Sequence, residues 1–223
     1  MTAANGGHFV VLEGIDGAGT TTQTAKLAES LRGWGLRVRT TREPSDGPIG
    51  AFIRQVLSGR IVVPPVAAGE PPEAPGWETM ALLFAADRMD HVQTEIAPFI
   101  AHGGIVISDR YDASSLAYQS VTSGNAGDAA LNWIRALNQR ARRPELTIVL
   151  DISAETAALR RARRGDAAQL YEQNEVQRAL SVFYKDLARH MPSDPIVAVD
   201  AEASLDVVHG RVLDAYRSAF AFG

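Results

Sequence analysis

The chain predicts an α/β protein: a five-stranded parallel sheet between two layers of helices, in one domain spanning residues 1–223. Three observations predict it. Short apolar runs alternate with longer stretches of helical period along the whole chain. The first apolar run ends in a glycine-rich loop, EGIDGAGTTTQ at 13–23, that opens straight into a helical stretch. A later apolar run ends in Asp109-Arg110, so polar chemistry gathers beyond the carboxyl ends of strands, where such sheets bind ligands.

Each element follows from its residues. His8 to Glu13 is a continuous apolar run bounded by the glycine loop, as in a parallel strand buried on both faces. From Thr21 to Arg32, Ala25, Leu27, Ala28 and Leu31 mark a helix, which Gly33 and Gly35 end. Leu36 to Thr41 is a second strand. Pro44 then disfavours helical geometry at Glu43, which predicts a rigid loop at Arg42-Glu43-Pro44. Ile49 to Leu57 reads as a helix. Residues 60–77 hold five prolines and no helical period, the mark of an exposed, mobile loop. Trp77 to His102 predicts one long helix, with Leu82, Met89, Val92, Ile96 and Phe99 in helical phase. Ile105 to Ser108 is a third strand, Asp112 to Gln119 and Asp128 to Asn138 are helices, and Leu146 to Leu150 is a fourth strand. Helices follow at Ala154–Arg163 and Glu172–Met191, then a fifth strand at Ile196–Val199 and a closing helix at Leu205–Phe220.

Composition narrows the function. A hydrophobic content of 46% and a charged content of 22% are those of an ordinary globular protein. The net charge of -4 gives no support to a general nucleic-acid or anionic-membrane binder. The absence of Cys excludes disulfides, thiolate metal sites and a cysteine nucleophile. The first residues lack a signal-peptide pattern and no stretch approaches the ~20 apolar residues of a membrane span, so a cytoplasmic protein is expected.

The glycine loop follows the phosphate-binding pattern G-x-x-x-x-G-K-[ST], whose amides cradle phosphates while a hydroxyl binds magnesium. Gly14, Gly19 and Thr21 stand at their places, but Thr20 occupies the lysine position. The loop is either an anion site or a turn whose glycines only permit tight geometry. Asp109-Arg110 offers a carboxylate for magnesium-bound water and a guanidinium for phosphate, or else a surface ion pair. Phe84 and Arg88, four apart on one helix, fit a flat base, or a core ring beside a solvated cation. Ser115 and Tyr118 either line the same pocket or pack. Arg160, Arg161, Arg163 and Arg164 read as a solvated helix face or as a lid that brings guanidinium to phosphoryl charge.

Taken together, EGIDGAGTTTQ, TREP (41–44), LLFAADRMDHV (82–92), DRYDASSLAYQ (109–119) and the arginine cluster resemble the thymidylate kinase family, in order and spacing, from about residue 8 to 220. The resemblance implies a P-loop NTPase-type α/β/α fold with a mobile arginine-rich lid at about 160–172. It implies phosphoryl transfer from ATP to dTMP with magnesium, in a homodimer. ATP phosphates would meet Gly14, Ile15, Asp16, Gly17, Ala18, Gly19, Thr20, Thr21 and Thr22. Magnesium would meet Thr21, with Asp109 in its outer shell. Asp16 would lie near the acceptor phosphate and sugar, which Arg42 and Arg110 grip, with Pro44 beside them. Phe84 would stack on thymine and Arg88 bond its carbonyl edge, while Ser115, Tyr118 and Gln119 bound the sugar and base. Catalysis would rest on Asp16, Arg110 and the lid residues Arg161, Arg163 and Arg164.

Two departures from the family pattern bear on activity. Thr20 supplies a hydroxyl but no charge, and AAQLYE (167–172) stands where members often carry DR[IFL]E. The chain has only two lysines, and Lys26 falls roughly 240° around the helix from Thr20. Three functions therefore stay open at this stage: a thymidylate kinase assisted by lid arginines, a nucleotide binder without turnover, and a kinase for another nucleoside monophosphate.

Overall fold

The computed structural model describes residues 6–64, 72–124, 127–164, 170, 171 and 173–220. Five strands form a parallel sheet: β1 (Phe9–Glu13), β2 (Val38–Arg42), β3 (Ile105–Asp109), β4 (Leu146–Asp151) and β5 (Ile196–Asp200). Their spatial order is β2-β3-β1-β4-β5. β1 is central and buried throughout, as its unbroken apolar run requires. β2, with the sequence VRTTR, is a largely exposed edge whose arginines suit a strand with one unpaired side.

Helices cover both faces. They are α1 (Thr20–Gly33), α2 (Pro48–Leu57), α3 (Trp77–His91), α4 (Ala97–Ala101), α5 (Asp112–Thr122), α6 (Gly127–Asn138), α7 (Ala154–Arg164), α8 (Asn174–Lys185), α9 (Leu187–His190) and α10 (Leu205–Phe220). The pleat of β1 divides the core. Val10 and Leu12 pack with Leu27 and Leu31 of α1, Leu180 of α8 and Val212 of α10. Phe9 and Val11 face the other way, against Ile96, Ile100 and Tyr111.

Three expectations are refined. The long helix expected over 77–102 is interrupted by a π-helical turn, Val92–Ile96, before α4. Pro98 has no N–H to return to the preceding turn, and the Ala97 N–H reaches back five residues to the Val92 carbonyl. The helix expected over 172–191 breaks at Asp186 into α8 and α9. In the proline-rich loop, Val63 and Glu73 form an antiparallel bridge, while residues 65–71 lie outside the described part.

β1 and β3 are neighbours, with Leu12 opposite Asp109. The glycine loop and Asp109-Arg110 therefore leave the sheet side by side. That adjacency builds the site.

Candidate active site

Gly19 precedes α1 with φ of 100°, and no side chain caps this 14-residue helix, so its first N–H groups are left to an anion. Gly17 has φ of 93°, and a Cβ there would lie 2.5 Å from the Ala157 carbonyl, so α7 can sit directly on the loop only because this residue is glycine. That seat brings two arginines to the loop. Arg161 donates to the Asp16 carbonyl. Arg160 donates to the carbonyls of Ala18 (3.3 Å), Ala201 (2.9 Å) and Ala203 (3.2 Å).

Asp16 joins the loop to the strand beside it. Its Oδ1 accepts from Arg110 Nη2 at 2.6 Å, while Arg110 Nη1 donates to the Gly14 carbonyl at 2.7 Å and Ser114 Oγ at 3.2 Å. Arg110 has φ of 71°, a left-handed backbone that a branched or bulky residue adopts only where its surroundings over-determine it. Beneath the pair lies Glu13, fully buried. It accepts from the Tyr111 N–H (2.8 Å), the Ser114 N–H (3.1 Å), Ser114 Oγ (2.6 Å) and the Tyr184 hydroxyl (3.0 Å). Burial pushes its carboxyl up to about 7, against the opposing pull of Arg110 and these donors. Glu13 thereby pins the turn that holds Arg110 and the start of α5.

On the opposite side of the loop, Thr21 Oγ1 donates to Asp109 Oδ2. Asp109 Oδ1 is buried without a hydrogen-bond partner, a free acceptor that suits a cation or its bound water. Thr20 is buried at the first position of α1, and Lys26 on the same helix pairs with Asp206 at 3.2 Å. Ile15 and Ala18 pack into the core, so they offer backbone only, and Thr22 is exposed.

A cavity of about 250 Å3 opens beside Asp16 and Arg110. Arg42, Pro44, Phe84, Ser115, Tyr118 and Gln119 line it, six of the residues expected to hold the acceptor. The buried Gln119 amide faces the Tyr171 hydroxyl across the cavity. Arg42 is ion-paired with Asp46 at 2.7 Å and half-exposed at the rim. Burial keeps the Tyr118 hydroxyl far above its usual range, hence neutral.

Arg88, the expected base contact, sits deeper than the residues that line the cavity. It lies 1% exposed beneath the cavity rather than on its wall. Its guanidinium donates to Glu43 (2.6 Å), Ser115 Oγ (2.9 Å), the Tyr111 carbonyl (3.1 Å) and Asn138, leaving Nε without a partner. Arg163 is exposed on α7 and does not line the cavity, while the side chain of Arg164 and residues 165–169 and 172 of the expected lid lie outside the described part.

Sequence reasoning passed over Glu13, Glu43, Tyr171 and Gln177. Glu13 carried a signal, a carboxylate closing an otherwise apolar strand. Gln177 carried one too, an amide in phase with Leu180 and Tyr184 on the buried stripe of α8.

The sequence model of the thymidylate kinase family matches residues 12–212. The chain belongs to the thymidylate kinase family. It is a nucleoside monophosphate kinase, and the family implies use of ATP. It is 38% identical over 207 residues to the probable thymidylate kinase of Pyrococcus horikoshii, covering 93% of this chain and 94% of that one. It is 35% identical over 214 residues to the thymidylate kinase of Caulobacter vibrioides, covering 93% and 95%. Likeness of this extent disfavours both a nucleotide binder without turnover and a kinase for another monophosphate. Among the described residues, no helix of this kinase is long and apolar enough to cross a membrane.

Proposed function

We propose that the protein transfers the γ-phosphoryl group of ATP to dTMP, giving dTDP, with the loop Gly14–Thr22 as donor site and the Phe84–Tyr118 cavity as acceptor site. The observation that carries this reading is the position of Asp16 and Arg110. They lie where the phosphate-binding loop meets a mostly apolar cavity of nucleoside size. Phe84 offers a face for a base, and Gln119 an amide that can turn from Tyr171 to its edge. The Tyr118 ring stands against the sugar and favours deoxyribose. Arg110 and the rim residue Arg42 present guanidinium to the acceptor phosphate. Arg88 supports the base pocket from below by fixing Ser115 and Glu43.

Phosphoryl transfer is catalysed mainly by positioning and by meeting charge. The N–H groups of Gly17, Gly19, Thr20 and Thr21 hold the donor phosphates, while the Ala18 N–H closes the loop on the Ile15 carbonyl at 3.0 Å. Thr21 and Asp109 would hold magnesium, which neutralises phosphate charge when bound. With Thr20 uncharged, cationic help must come from elsewhere. Arg161, already on the loop at the Asp16 carbonyl, is a candidate beside Arg160 at the Ala18 carbonyl, and Arg163 and Arg164 extend the same helix toward the lid. A homodimer is proposed as well, through α3, whose Leu82 and Met89 are 51% and 42% exposed on one face.

An ADP-release assay across dTMP, dUMP, dCMP, dGMP and dAMP tests the reading. Turnover strongest with dTMP supports it; stronger turnover with another monophosphate reassigns the pocket. Binding of ATP and dTMP without any turnover would show that the loss of lysine is not made good.

A further inference from the structure

Gln177 is fully buried on α8, and its single amide makes three bonds. Its Oε1 accepts from the Asp16 N–H at 3.0 Å. Its Nε2 donates to Asp16 Oδ2 at 2.7 Å and to the Tyr171 carbonyl at 2.8 Å. The segment 170–171 is held from its other side as well, because the Leu170 N–H donates to the Leu57 carbonyl at the end of α2, at 3.3 Å. Between these ties the Tyr171 ring forms part of the acceptor cavity wall, edge-on to Tyr118 with centroids 5.4 Å apart.

We propose that Gln177 is a positioning residue that couples the seating of the lid segment 170–171 to the orientation of Asp16. The proposal rests on the roles given above to Asp16 and Arg110. Both protons of the buried Nε2 need acceptors, and one acceptor belongs to each side. Withdrawing Tyr171 leaves a donor unpaired, and turning Asp16 away does the same, so each arrangement favours the other. Coupling of this kind is reciprocal. With Oδ2 held by Gln177, Oδ1 is presented to Arg110, so the acceptor side is set when Tyr171 closes the cavity. Other groups facing Asp16 are Arg161 at its carbonyl and Tyr118, whose ring lies 5.3 Å from the Arg110 guanidinium carbon.

Two variants and two readouts test this. Gln177→Leu removes all three bonds. It should speed amide exchange in the ligand-free protein by about ten-fold or more, in the peptides holding Asp16 and Tyr171 together, and slow dTMP turnover by a similar factor at every pH. Gln177→Glu sets a second carboxylate against Asp16 Oδ2, where two such groups share one proton. Its turnover should therefore fall at pH 8 and recover about ten-fold or more toward pH 6. A merely structural role gives no such profile, and melting temperatures identify a variant that has failed to fold. A folded Gln177→Leu that leaves exchange unchanged in either peptide overturns the coupling. So does a Gln177→Glu variant that works as the parent does at all pH values while Asp16→Asn is impaired. Exchange is read without substrate. If both peptides respond together but neither the Gln177 variants nor Asp16→Asn alters turnover, the coupling stands and the catalytic reading of Asp16 falls.

Discussion

Replacing Glu13 by glutamine should change how stability depends on pH. The Glu13 carboxyl is pushed up from 4.5 to about 7 in the folded protein, chiefly because it is completely buried. In the unfolded chain it titrates near the ordinary value. Between those two values the folded state holds a proton that the unfolded state has lost. The stabilisation is therefore fully present below the unfolded value and lost as pH rises through about 7. At 1.36 kcal/mol per pK unit the full swing is about 3 kcal/mol, an upper figure because the folded site can relax around the ion. A glutamine amide at this position keeps most of the shape of the side chain but cannot titrate. Urea unfolding of parent and Glu13→Gln protein at pH 5, 6, 7 and 8 measures the difference. The variant should gain on the parent by roughly 2–3 kcal/mol between pH 5 and pH 8. Parallel stability curves would show that Glu13 is ionised at its normal pH inside the fold, and that its four donors outweigh its burial.

Further expectations follow from the site. Thr20→Lys should raise turnover at least about ten-fold while leaving the dTMP binding constant nearly unchanged, the mark of a contact made in the transition state. Arg161→Ala should cost the parent more than it costs the Thr20→Lys variant, measured as a four-way comparison of rates. Phe84→Ala should weaken dTMP binding by about 1–3 kcal/mol, read by calorimetry, and an unchanged affinity in a folded variant removes Phe84 from the pocket. Arg88→Ala should destabilise the fold by about 3–5 kcal/mol, because it takes the guanidinium from the buried carboxylate of Glu43 and leaves it with His91 Nδ1 at 3.3 Å; a loss below about 1 kcal/mol in urea unfolding would contradict that account.

The α/β class and the five strands were legible in the sequence because apolar runs and helical periods are local signals. The glycine loop, Asp109-Arg110 and the Phe84–Tyr118 residues were legible for a related reason. Their chemistry sits at fixed spacings along single elements, and the structure gathers most of them around one cavity. Arg88 shows where such reading stops. Its spacing from Phe84 predicts a shared helix face, but whether a guanidinium on that face meets a ligand or a buried Glu43 depends on the neighbouring loop, 45 residues earlier in the chain. Gln177 shows the same limit over a longer span, because its partner Asp16 is 161 residues away. The sequence by itself determined which elements form and which residue types stand at their ends. The tertiary structure alone decided the strand order that sets β1 beside β3, the packing of α7 on Gly17, and which polar groups are buried together. The physical reason is range: propensity and periodicity act within a few residues, whereas burial and charge pairing depend on what the rest of the chain brings near.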